Sequence, residues 1–273
     1  MWMSRSAGSQ RYLKAPRWLL LSTMGVYLVL AGLLVWSHES SLLNALRWLD
    51  SGICAQILTH SFYPGGERLP LCARNTGIYL GAFLSGLILY ASGHGRAQLL
   101  PPRPILVVLL LGVLMMAVDG TNSFLLDLGL IHLYQPQNPF RLATGLLAGL
   151  ALGSLSLPIL NQFLWCDLHE QRSISSWSHL CLFLPALLLC FFAICAQNSV
   201  ILYPIAIFSS LGLILTMGCF NLLLLLTVCR REQQFVAYRE LFPFVGLAIG
   251  CAIGELLLLA QGKMWLLHLS GLS

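Results

Sequence analysis

The sequence predicts an all-α protein, a polytopic transmembrane bundle of about seven spans with an amphipathic interfacial helix between spans one and two. Three observations carry that reading. Apolar residues make up 58% of the 273 residues and charged ones only 9%, against roughly a quarter charged in soluble domains. Seven segments approach the ~20 apolar residues that a bilayer-crossing helix requires. They follow one another with short connections along the whole chain, so residues 1–273 read as a single integral membrane domain.

The spans are expected near Trp18 to Trp36, Thr76 to Ser92, Pro104 to Phe124, Phe140 to Leu164, His179 to Ala196, Val200 to Cys229 and Phe242 to Ala260. The first has Arg5, Arg11, Lys14 and Arg17 before it, but its apolar run is longer than a secretory signal core and no small-residue cleavage pattern follows, so a retained anchor is expected. Gln197, Asn198 and Ser199 are the only polar break between the fifth and sixth spans. A tight helical hairpin follows from that.

With seven spans, ten of the fifteen Lys and Arg residues fall on one side. The positive-inside rule then places the N-terminus in the cytoplasm and the C-terminus outside, in a prokaryotic plasma membrane. This bias accounts for most of the net charge of +5, and no basic, aromatic-interleaved stretch suited to nucleic acid is present.

Between the first two spans, Leu42, Leu46, Leu49, Ile53 and Ile57 recur at helical spacing within Glu39 to His60. Asn44, Arg47, Asp50, Ser51 and Cys54 fall mostly off that stripe, the pattern of a helix lying on a membrane surface. The turn Tyr63-Pro64-Gly65-Gly66 returns the chain to the membrane.

Charges inside spans are costly and point to function. Arg74 opens the second span in RLPLCARNTGIYLG, Asp119 and Asn122 lie in AVDGTNSF of the third, Asn138 and Arg141 in NPFRLATG open the fourth, and Glu255 sits in AIGELLLL of the seventh, in its expected outer part. The topology sends these groups to one end of the bundle. Paired arginines suit a carboxylate or phosphate, so the set Arg74, Asp119, Asn122, Asn138, Arg141 and Glu255 is expected to bind a small or lipid-like anionic ligand, in a transporter or a transport component. A membrane enzyme acting on a lipophilic substrate, with Asp119 or Glu255 as acid or base, and an assembly subunit with an internal ion-pair network remain as alternatives. Asp127 and His132 could assist proton transfer, although solvated loop residues are the plainer reading. Beyond the bilayer itself, no protein partner and no cofactor is indicated.

Small-residue ridges run through two of these spans, Gly145-Gly149-Gly153 and Gly246-Gly250-Gly254, and read as close helix packing. Templates for a zinc protease (HExxH), a nucleophile elbow (GxSxG) and a phosphate loop (GxxxxGK[ST]) are missing from the sequence.

The middle of the chain resembles a widespread family of predicted prokaryotic membrane proteins of unknown function. Its hallmark runs Cys-His, a short loop, a proline and Cys-Ala-Arg-Cys-Thr-Gly. Cys54, Pro70, Cys72, Ala73, Arg74, Thr76 and Gly77 stand at matching places, followed by Asp119-Gly120 and by Asn138, Arg141, Thr144 and Gly145, so that the likeness covers about Gly52 to Gly153. The spans from 179 to 260 are additional to this core. Ala55 and Asn75 replace the hallmark histidine and second cysteine, which leaves too few ligands for a four-coordinate zinc-type site, and no metal is expected. His60 reads as a surface histidine. Cys54 and Cys72 are a candidate disulfide, more structural than catalytic, which would staple the surface helix to the mouth of the second span.

Overall fold

A computed structural model describes residue 19 and residues 23–27, 41–167 and 170–269. Its elements are all helical: α1 (Leu42–Asp50), α2 (Ala73–Ala91), α3 (Arg103–Asp127), α4 (Asn138–Leu164), α5 (Trp177–Cys181), α6 (Leu184–Cys195), α7 (Leu202–Val228) and α8 (Tyr238–Leu269). Five helical stretches are long and apolar enough to cross a membrane: α3, α4, the α5–α6 pair, α7 with its leading turn, and α8. Along α3, Val107, Leu110, Leu111, Leu114, Met115 and Val118 are exposed, as lipid-facing side chains are.

The seven expected spans are therefore not all recovered. The first, Trp18 to Trp36, lies largely outside the described residues, although residues 23–27 are helical. The second coincides with α2, whose 19 residues reach about 28 Å at the usual 1.5 Å rise. Arg74 and Asn75 in its first turn make it less apolar than the other five.

At the centre, α2 and α4 form the most extensive helix pair, and the glycines explain how. The two helices run parallel in a constant register: Gly77 meets Gly145, Gly81 meets Gly149, and Ser85 meets Gly153. A Cβ added to Gly77 would lie 2.6 Å from the Leu142 carbonyl oxygen, and one added to Gly81 would lie 2.8 Å from that of Leu146. Gly145 and Gly149 press just as closely on the carbonyls of Arg74 and Ile78. α3 packs on α4, and α7 on both α2 and α8. The second ridge also packs: a Cβ on Gly250 would lie 2.7 Å from Val26 Cγ1, and Tyr27 Oη donates to the Gly246 carbonyl at 3.0 Å.

The polar break at residues 197–199 makes the expected hairpin. Gln197 takes a positive φ of 50°, and the Asn198 side chain accepts from the Val200 N–H at 3.0 Å to start the turn into α7. The Tyr63–Gly66 turn sits on this hairpin, with Gly65 N–H donating to the Gln197 carbonyl at 3.0 Å.

The surface helix is shorter than its sequence pattern. Ser41 caps α1 by accepting from the Asn44 N–H at 3.2 Å, and the helix stops at Asp50, beyond which Lys263 of α8 donates to the Cys54 carbonyl at 3.2 Å. Its packing also departs from the stripe. Leu43, Leu49 and Asp50 are buried, whereas Leu42 and Ile57 are exposed, because α1 rests against α7 and α8 and Asp50 finds a hydroxyl partner there.

At the opposite end of the bundle from Arg74, the loops are tied by two isolated backbone bridges, Leu99 with Arg172 and Trp165 with Phe235. The Arg96 guanidinium lies 4.0 Å from the Trp165 ring centroid and 4.6 Å from that of Tyr238.

Candidate functional site

The register of α2 on α4 decides where the arginines go. Arg74 stands one turn before Gly77 and Arg141 one turn before Gly145, so the glycine contacts carry both to the same end of the parallel pair. α3 approaches from the other direction with Asp119 facing them. Arg74 Nη2 and Nε donate to Asp119 Oδ2 at 2.6 and 3.3 Å, and Nη2 also donates to the Asp119 carbonyl at 3.2 Å and to Ser123 Oγ at 3.0 Å. Tyr134 Oη donates to the other carboxylate oxygen, Asp119 Oδ1, at 2.7 Å. Asp119 is 1% exposed, and both its oxygens are occupied. A buried carboxylate needs this much support.

Arg141 is placed differently. It is 4% exposed. Its Nη1 donates to Asn138 Oδ1 at 2.9 Å and its Nε to Ser123 Oγ at 3.4 Å, both neutral acceptors. Among the described residues no carboxylate lies within ion-pair reach of it. The groups in hydrogen-bond contact here thus carry two positive charges and one negative. Arg141 lines a cavity of about 580 Å³ between the start of α4, the 58–63 loop and the α6–α7 hairpin, with Ser61, Phe62, Tyr63, Asn138 and Gln197 among its walls.

The two expected asparagines serve as braces. Asn122 Nδ2 donates to the Tyr134 carbonyl at 2.9 Å, and its Oδ1 accepts from the Leu133 N–H at 2.6 Å, which holds the loop bearing Tyr134. Asn138 Nδ2 donates to the carbonyls of Thr59 and Ser61 at 3.2 and 3.1 Å and so fixes the cavity rim. His60, read from sequence as a surface histidine, has a side chain only 13% exposed and pairs with Asp127 at 3.3 Å. Burial, then the positive charge of Arg141, holds its imidazole below the ordinary histidine value. His132 is half-buried on the loop.

Glu255 stands apart. α8 continues to Leu269, so Glu255 lies near the middle of the helix rather than in its outer part. Its Oε2 accepts from Asn221 Nδ2 of α7 at 3.0 Å, and no hydrogen bond or ion pair joins it to Arg74, Asp119 or Arg141 among the described residues. Tyr134 and Ser123 are the functional-site neighbours that sequence reasoning missed. Ser123 had a usable signal, one turn after Asp119; Tyr134, on a loop, had none.

Cys54 and Cys72, the candidate disulfide, lie in contact as free thiols. Cys54 Sγ accepts from the Cys72 N–H at 3.3 Å, at the N-terminus of α2. Asn75, standing where the hallmark has its second cysteine, lies close enough to act on Cys54. The loop between these cysteines is held by Gln56, whose Nε2 donates to the carbonyls of Arg47 and Pro70 at 2.6 and 2.7 Å.

Residues 54–155 match the family described as predicted membrane protein (DUF2085), a range that contains both cysteines and both arginines. An uncharacterized protein of Methanocaldococcus jannaschii, MJ1492, is 33% identical over 130 residues, covering 48% of this chain and 76% of that protein. No solved structure matches. The chain belongs to this family of predicted membrane proteins.

Proposed function

We propose that the protein binds a small or lipid-like anionic ligand in the cavity beside Arg141, as a membrane-embedded binding protein or a component of a transport system. One observation carries the reading: a guanidinium 4% exposed, with neutral acceptors only, on the wall of a cavity. A buried charge is costly unless it is paired, and an anion in the cavity completes the pairing. The start of α4, a 27-residue helix, adds the partial positive charge of a helix N-terminus. Arg74 and Asp119 satisfy each other and frame the site.

In this reading the cavity faces the outer side of a prokaryotic plasma membrane, the end away from most of the positive charges. The test is native mass spectrometry of detergent-extracted protein titrated with phosphatidylglycerol and, separately, with inorganic phosphate. Wild type should retain one or the other, and a folded Arg141→Gln variant should not. Equal retention by the two proteins removes Arg141 from the site. Retention by neither, with an unfolded variant, makes the cluster a structural ion-pair network instead.

A further inference from the structure

A second group of reactive side chains lies around the start of α2, away from Arg141. Cys54 is 2% exposed. Its sulfur accepts from the Cys72 N–H at 3.3 Å. One turn before Cys54, Asp50 is fully buried. Its Oδ2 accepts from Ser210 Oγ at 2.6 Å, whereas Oδ1 has no hydrogen-bond partner. A fully buried carboxylate oxygen without a donor is rare in folded proteins and marks a place where a proton can be held. Leu49, Leu71, Leu213, Leu256 and Leu257 close around the group. Cys72 is the less buried residue of the pair.

We propose that Cys54 and Cys72 form a reversible dithiol–disulfide site that exchanges with a low-molecular-weight disulfide, with Asp50 as the proton acceptor inside it.

The Cys72 sulfur attacks one sulfur of the small disulfide, whose S–S bond breaks to expel one thiolate. The Cys72 proton passes to the Cys54 thiolate. Cys54 then attacks the Cys72 sulfur, its proton passes to the Asp50 carboxylate, and the bond from Cys72 to the small thiol breaks. The second thiolate leaves. Two protein sulfurs are oxidised to one disulfide, one small disulfide is reduced to two thiolates that take up protons from solvent, and Asp50 returns its proton to solvent.

The surroundings set the order of proton transfer. The Cys72 thiol and N–H pull the Cys54 thiol down against the effect of burial, whereas that same contact, with burial, pushes the Cys72 thiol up, so Cys72 attacks only as its proton passes to Cys54. Burial raises the Asp50 carboxyl to about 7, with the Ser210 hydrogen bond opposing. The titratable and charged groups facing the pair are Asp50 of α1, Arg74 and Tyr79 of α2, and Lys263 of α8. From α7 comes the neutral Ser210.

The test equilibrates the detergent-solubilised full chain with oxidised and reduced glutathione, quenches by alkylation and maps each cysteine by mass spectrometry. A Cys54–Cys72 disulfide should form and be reduced again by dithiothreitol in the folded protein. Cys54→Ser should stop at a mixed disulfide on Cys72. Asp50→Asn should slow closure of the internal disulfide by roughly tenfold or more, the lower range of general-base effects, and flatten its pH profile without changing the final oxidised fraction. Thiols that stay inert in the folded wild type would overturn the site, as would a disulfide that dithiothreitol reduces only after unfolding. An unchanged rate and pH profile in Asp50→Asn would remove the carboxylate from it. Anion retention at Arg141 is read separately and does not enter these outcomes.

Discussion

Gly77→Ala probes how the site is built. The added Cβ would lie 2.6 Å from the Leu142 carbonyl oxygen, 2.8 Å from the Leu146 nitrogen and 3.0 Å from the Gly145 carbonyl carbon. All three atoms are backbone, so no side chain can swing away. To restore an ordinary contact of 3.4 Å, α2 and α4 must part by about 0.8 Å, from 3.4 minus 2.6. Overpacking of this kind costs about 1–3 kcal/mol, and here it acts one turn from Arg74, whose shortest ion-pair contact is 2.6 Å.

Gly86→Ala is the control on the same helix, because a Cβ there meets nothing within 4 Å and Ala is the better helix former by about 1 kcal/mol. Thermal unfolding in detergent, followed by size-exclusion chromatography, should show Gly77→Ala clearly below wild type and Gly86→Ala at or above it. Gly77→Ala should also weaken retention of phosphatidylglycerol or phosphate while the protein remains folded. A Gly77→Ala protein as stable as wild type, or a Gly86→Ala protein equally damaged, would refute the register argument.

Other substitutions test separate parts of the structure. Asp119→Ala leaves Arg74 without its carboxylate and should cost about 3–5 kcal/mol, the penalty for breaking a buried pair, read as loss of folded protein in a denaturant titration. Asp50 has a folded value raised from 3.8 to about 7, so its stabilising share is complete below about pH 3.8 and is lost as the pH rises through about 7. Asp50→Asn should therefore match wild type near pH 4 and exceed it at pH 8, by at most about 4 kcal/mol; a melting-temperature difference that does not grow with pH would contradict this. Arg141→Gln removes one of the two main influences holding His60 low, so the imidazole should titrate at higher pH in NMR spectra of the variant. Arg96→Ala should lower the melting temperature through loss of the Trp165 and Tyr238 ring contacts, about 2 kcal/mol where such contacts are desolvated, without changing anion retention at the other end.

Composition and periodicity reached the helical membrane fold because apolar length has one reading in a lipid-crossing chain. They overestimated the surface helix for a specific reason. Ile53 and Ile57 keep the apolar spacing beyond Asp50, but Asp50 ends the helix and turns inward to the Ser210 hydroxyl, a tertiary contact that the pattern does not contain. Glu255 was misplaced in depth because the length of α8 past Ala260 is not set by its apolar run; Gln261, Lys263 and His268 continue the helix as polar residues. Tyr134 reaches Asp119 from a loop held by Asn122, and no local period announces such a contact.

What was legible about the site came from chain direction. Second and fourth spans run the same way through a membrane, so Arg74 and Arg141, each at the start of its span, had to share an end. Chain direction does not say whether they touch the same groups; register does. A constant offset of 68 residues, from 145 minus 77 and 149 minus 81, sets Arg74 opposite residue 142 and hence beside Arg141, two positive charges brought together by backbone packing. Such an arrangement is unfavourable unless negative charge is supplied. Asp119 makes its ion pair with Arg74 and acts on Arg141 only through space. The glycine register that makes the most extensive helix packing in the fold thus also creates the unpaired charge at Arg141, and the fold keeps that packing at an electrostatic cost that an anion in the adjoining cavity would offset.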